Sequence, residues 1–216
     1  MISPAKEVRA AALRAFRHLL LDEDSLKVIL GLRIDIFVMK SLDLPPSAEV
    51  ERVQALRLVR KMVYLCPNAF PMSLAMALAA ISNDSSQDKD RMSRACLATL
   101  CELAVQNIEI ASYAGVVKCI VSNTLDCSLQ RMNESLVCTL LYLFNHPKYR
   151  TYVRRHVGLE GVLAPFTDLY YRYNAEIPEN VIKEDQEVRL DNAKLALVAI
   201  VHSWAGELFF LEVCDM

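Results

Sequence analysis

Residues Glu49–Met62 read Glu-Val-Glu-Arg-Val-Gln-Ala-Leu-Arg-Leu-Val-Arg-Lys-Met. Val53, Leu56, Val59 and Val63 recur at steps of three and four, the spacing that lines one face of a helix. Ser47 stands where an N-cap is expected, and Glu49 and Glu51 put negative charge in the first turn, where the helix dipole favours it. Pro67 closes the segment. Inside it, Ala55, Val59 and Met62 form a frame: a small residue, an apolar one four later, another three after that. The frame returns at Ala12, Phe16 and Leu19, at Cys96, Leu100 and Leu103, at Leu136, Leu140 and Leu143, and at Ala193, Leu197 and Ile200. Successive first members lie 43, 41, 40 and 57 residues apart.

One long helix every forty residues or so is the pattern of armadillo and HEAT units, each of which buries its apolar face only against its neighbours. The spacing predicts an all-α fold, a right-handed α-solenoid of armadillo/HEAT-like repeats, with residues 1–216 as a single helical domain. The first three long helices are expected over Glu7–Leu21, Glu49–Met62 and beyond, and Arg91–Gln106. Leu129–Asn145 and Glu184–Trp204 supply the last two. Shorter helices fill the intervals at Ser25–Leu30, Ile34–Leu42 after a break at Gly31, Met72–Ile81, a turn from Ile108, and Val116–Leu125 after Gly115. Lys148–Val157 and Leu159–Tyr173 follow. Ser82–Asp90 reads as a polar loop in which Ser86 or Asp88 caps the next helix, and Asn174–Lys183 explains the long last spacing.

Composition narrows the function classes. With 54% apolar residues a sizeable core is available, while five glycines argue against the glycine-rich turns of nucleotide-binding α/β folds. A net charge of −2 gives no reason to expect nucleic acid, and no uncharged apolar run reaches the length of a membrane span. Seven cysteines, several on apolar helix faces, fit buried free thiols in a reducing, cytoplasmic setting.

Catalytic and metal chemistry find little footing. Cys96 and Cys101 are five apart on one helix, which leaves them about 140° apart around its axis and unable to share a ligand corner. Cys138 and His146, eight apart, face similar ways without an evident third ligand. No glycine-rich turn supplies an oxyanion hole for a cysteine nucleophile. Tyr170-Tyr171-Arg172-Tyr173 reads as a helix end anchored by tyrosines, and Arg150, Arg154 and Arg155 as solvated charge. No enzyme, cofactor or metal is expected.

The long helices offer a better constellation. In armadillo proteins the third helix of each unit lines the concave surface, which here exposes positions two and six after the first frame residue. Those positions hold Arg14 and His18, Arg57 and Lys61, Ala98 and Glu102, Cys138 and Tyr142, Leu195 and Ala199. The Trp and Asn ladders that read basic peptides are missing from them. Instead Arg14, His18, Arg57 and Lys61 form a basic ridge, with Arg17 and Arg60 beside it. Residues 1–66 hold eleven Lys/Arg against eight Asp/Glu, a local +3, while the remainder holds thirteen against eighteen, −5. A solvated helix face and a groove for an acidic partner segment both fit this pattern.

Longer stretches carry a resemblance. Glu49–Met62, Asp90-Arg-Met-Ser-Arg-Ala-Cys96, Cys101-Glu-Leu-Ala104, Asn145-His-Pro-Lys148, Leu163-Ala-Pro-Phe-Thr-Asp168 and Ser203-Trp-Ala-Gly206 resemble the N-terminal armadillo region of the Rictor family. That is the family of rapamycin-insensitive companions of the TOR kinase. The similarity runs from about Lys6 to Gly206, and Glu207–Met216 departs from it. It implies a non-catalytic scaffold subunit of TOR complex 2, which signals to AGC kinases such as Akt and to the actin cytoskeleton. The implied partners are the TOR kinase and other subunits of that complex, the Sin-type subunit first among them. The repeat pattern alone equally allows a generic armadillo-type adaptor outside that complex. Family chains are far longer, so a piece of a longer protein is expected. Leu208-Phe209-Phe210-Leu211 and Ala10–Ala12, neither with a polar cap, lead to the expectation that the fragment self-associates or needs flanking sequence.

Overall fold

The computed structural model describes residues 5–83, 91–125 and 134–156, and residues 190–191, 194–195, 197–199 and 201–202. The described residues are helical, with no strand among them. They belong to two compact units, Met1–Val116 and Val117–Met216.

In the first unit, α1 (Lys6–Leu19), α2 (Glu23–Gly31), α3 (Ile34–Leu42), α4 (Glu49–Leu65), α5 (Met72–Asn83), α6 (Arg91–Gln106) and α7 (Ile108–Tyr113) follow in order. Short 3₁₀ turns at Pro46–Ala48 and Pro67–Ala69 flank α4. Helix α4 is the hub, packed against α1, α3 and α6. The frame residues Ala55, Val59 and Met62 are buried, as are Leu56, Leu58 and Val63. Its sibling in α6 repeats this with Cys96, Leu100 and Leu103. Among the described residues, side-chain bonds join positions about forty apart: Arg9 to Glu51 and Arg60 to Glu102, each 42 apart, Lys61 to Arg17 at 44, and Asn107 to Pro67 at 40 and to Asn68 at 39.

The ends of the elements differ from expectation where capping decides them. Helix α1 stops at Leu19, and the amide of Leu20 bonds the Phe16 carbonyl as the chain turns extended. Helix α2 starts at Glu23 because Asp22 and Ser25 form a reciprocal capping box. Ser47 does not cap α4: a 3₁₀ turn runs straight into it, and Ala48 at the cap position bonds nothing through its side chain. Gly31 does not break the α2–α3 connection either. It is the last helical residue, and Arg33, with φ 56°, carries the left-handed reversal. Gly115 supplies the same reversal after α7 with φ 75°. Helix α5 continues through Ser82 and Asn83, beyond the expected loop boundary, with the Ser82 hydroxyl bonded to the Leu78 carbonyl. The proposed caps Ser86 and Asp88 lie outside the described residues.

Helix α1 departs from the frame itself. Ala10, Leu13 and Leu20 are buried, whereas Leu19 is 63% exposed and Ala12 and Phe16 are half-buried. The helix is apolar on two faces, and spacing alone could not tell which one α4 covers. The Arg9–Glu51 ion pair lies on the same side as buried Leu13, four residues on, while Leu19 stays out.

The second unit takes in α8 (Val116–Leu125) apart from its first residue, α9 (Glu134–Asn145) and α10 (Pro147–His156). Helices α9 and α10 pack together, and Leu136, Leu140, Leu143, Phe144 and Val153 are buried. The expected segments Leu159–Tyr173 and Asn174–Lys183 lie outside the described residues, as does the C-terminal tetrad from Leu208. Of the last expected helix, Leu197 is half-buried and helical.

Candidate functional site: a cationic face on α1 and α4

Arg14 and His18 are both exposed on α1, and Arg57 is exposed on α4, the helix packed against it. Among the described residues none of these three makes an ion pair or a side-chain hydrogen bond. Lys61 differs. It is half-buried, and its Nζ donates to the Arg17 carbonyl at 2.8 Å. That carbonyl belongs to the last turn of α1, whose oxygens lack helical partners and carry the negative end of the helix dipole. Lys61 thus caps α1 from the next repeat. Arg60, beside the ridge, pairs with Glu102 of α6, both partners being well exposed.

A further exposed cation stands on α6, outside the positions singled out by spacing. Arg94 of α6 is exposed and unpaired among the described residues. It lies two residues before the frame member Cys96, where Arg57 lies two after Ala55, so the two sit about 40° apart around equivalent helices. Ala98, two residues after Cys96, is exposed and uncharged.

Behind this face lies a polar clasp. Glu51 is 3% exposed and accepts from Arg9 Nε at 2.9 Å and Nη2 at 2.8 Å, and from the Ser41 hydroxyl at 3.0 Å. One carboxylate so ties α1, α3 and α4 together. The Glu51 bonds push the Arg9 guanidinium above its ordinary pKa. Next to it, Arg52 is buried and its Nε donates to the Leu42 carbonyl at 3.3 Å, closing the end of α3. Glu51 stands in the first turn of α4, as its spacing predicts, and the structure adds that it is buried there against Arg9 and Ser41.

The residues weighed for other chemistry have structural employment. Cys66, Cys96, Cys101 and Cys119 are buried, and burial pushes the Cys66 thiol upward in pKa. Cys138 is exposed. His146 packs its ring 4.3 Å from that of Tyr149 and 5.8 Å from that of Tyr142. Among the described residues no cluster of three metal-ligating side chains occurs. No helix among them is long and apolar enough to cross a membrane. Tyr170–Tyr173 and the side chains of Arg154 and Arg155 lie outside the described residues.

Comparison with known proteins places the chain in a family. The family described as "Rapamycin-insensitive companion of mTOR, N-term" matches residues 1–213. The mouse protein named rapamycin-insensitive companion of mTOR is 48% identical over 95% of this chain, and the human one 47% over the same share. The fission-yeast protein named target of rapamycin complex 2 subunit ste20 is 26% identical over 94% of it. The chain spans 12% of the length of the two mammalian relatives and 16% of the yeast one. A match that covers nearly every residue, both units and the helices that carry the cationic face leads to one conclusion: the chain belongs to the Rictor N-terminal family.

Proposed function

We propose that this chain is the N-terminal helical part of a non-catalytic scaffold subunit of TOR complex 2, acting in the cytoplasm. In that role it supports TOR kinase signalling to AGC kinases such as Akt and to the actin cytoskeleton. The observation that carries the reading is similarity over nearly the whole chain to relatives named as companions of mTOR and as a subunit of target of rapamycin complex 2. In this reading the helices stack as an armadillo-like solenoid, for which the bonds joining residues 40 to 44 apart are the support. Arg14, His18 and Arg57 face a groove that takes an acidic segment of another subunit, with Lys61 holding the α1 end of that groove in place. The Sin-type subunit is the leading candidate for that segment and the TOR kinase the other.

Affinity capture of the tagged protein from cells, followed by mass spectrometry, tests this reading. Recovery of the TOR kinase and the Sin-type subunit in constant ratio supports it. Recovery of neither overturns it.

A further inference from the structure

Helix α1 leaves one of its two apolar faces uncovered. Val8 and Leu19 are 54% and 63% exposed, and Ala11 and Ala15 between them are exposed as well. At about 100° per residue these four fall within roughly 80° of the circumference, a continuous stripe over most of the helix. Single exposed apolar residues are ordinary, but an aligned set on one helix marks a contact surface. The shape of the stripe is specific too. Small residues occupy its middle and larger ones its ends, which lets a second helix approach to about 8 Å. Arg14 and His18 run along one margin, within about 60° of Ala11, exposed and unpaired among the described residues.

We propose that this outer face of α1 docks an amphipathic helix of a partner protein, about three turns long. Its apolar side seats on Val8, Ala11, Ala15 and Leu19, and an acidic flank meets Arg14 and His18. The inference rests on the reading of the cationic face as partner-binding and adds the conformation and chemistry of the partner. An extended acidic peptide would satisfy the cations and leave the stripe wet. A second copy of this chain fits poorly. Two α1 helices packed antiparallel with Val8 opposite Leu19 bring identical flanks together, and Arg14 then stands about one residue's rise, 1.5 Å along the axis, from Arg14 of the other copy. Like charges so placed oppose association.

The test uses the 216-residue chain and three labelled synthetic peptides, read by fluorescence anisotropy. One peptide has a leucine stripe and a glutamate flank, the second has lysine in place of glutamate, and the third scrambles the first. The glutamate-flanked peptide is expected to bind at least about tenfold tighter than either of the others. Ala15→Glu and Arg14→Glu should each weaken it by about tenfold or more, while Arg14→Lys stays within about threefold. Circular dichroism checks that the variants remain folded. Equal binding of the scrambled peptide, or unchanged binding by Ala15→Glu, overturns the inference. So does a dimer in sedimentation that Ala15→Glu dissolves, because the face then belongs to a second copy. In cellular capture, subunit recovery lost by Arg57→Glu but kept by Ala15→Glu overturns the helical partner and leaves the scaffold reading standing. If the unaltered protein recovers no subunit, the scaffold reading itself fails.

Discussion

Arg9 and Glu51, forty-two residues apart, form an ion pair in which the carboxylate is 3% exposed and the guanidinium side chain 23%. The Ser41 hydroxyl completes the shell around the carboxylate. Removing the arginine strands the buried carboxylate. Arg9→Met should lower stability, because Glu51 is then left without its counter-charge. The double variant Arg9→Met with Glu51→Leu should recover much of the loss. Urea unfolding of the two variants checks this, and equal destabilisation by both would contradict it.

Lys61 and Arg57 stand four apart on α4 but differ in what they do. Lys61→Met removes the bond to the Arg17 carbonyl, so the last turn of α1 should lose amide-exchange protection, with a stability cost of about 1 kcal/mol. Arg57→Glu, on an exposed residue with no partner among those described, should change stability by no more than about 0.5 kcal/mol. Its effect should appear in subunit association, and more strongly at low salt, since exposed charges are screened over about 8 Å at physiological ionic strength.

Leu140 and Leu19 are both leucines of the repeated frame, yet one is fully buried and the other 63% exposed. Leu140→Ala should cost roughly 2–5 kcal/mol through the cavity it leaves. Leu19→Ala should stay within about 0.5 kcal/mol. Thermal melts of the two variants, compared side by side, measure the difference.

The Asp22 carboxyl accepts from the Ser25 amide, with the Ser25 hydroxyl close by, and this holds its pKa below the ordinary carboxylate value. A group depressed in the folded state contributes its stability in full above the unfolded pKa, near 3.9, and loses it as pH falls through the folded value. The unaltered chain should therefore show a steeper acid loss of stability below about pH 4 than Asp22→Asn does. Parallel acid titrations of the two unfolding curves would show no such divergence if the capping box were absent in solution.

Thiol accessibility gives an independent check on the core. Cys138 should react with an alkylating reagent in the native state, while Cys66, Cys96, Cys101 and Cys119 should react only on unfolding. Mass spectrometry of the labelled peptides reports each site separately.

Much of this fold was legible in the residues. Apolar spacing located the helices, since a stripe at steps of three and four lines one face of a helix. The repetition of Ala55, Val59 and Met62 at Cys96 and Leu136 identified buried faces that are indeed buried. Helix ends were less legible, because capping depends on local geometry: Asp22 captured the start of α2, Ser47 did not capture that of α4, and Arg33 rather than Gly31 took the left-handed turn. What only the tertiary structure decided was partnership. A helix with two apolar faces, such as α1, has its buried side chosen by the neighbour it meets. The place of Glu51 in the first turn was legible, but its ion pair with Arg9 of α1 was not. Lys61 belonged by spacing with Arg57, but the free carbonyl at the end of α1 claimed it. Periodicity is a property of one helix and is written in order along the chain, whereas the pairing of charges forty residues apart exists only once the helices are packed.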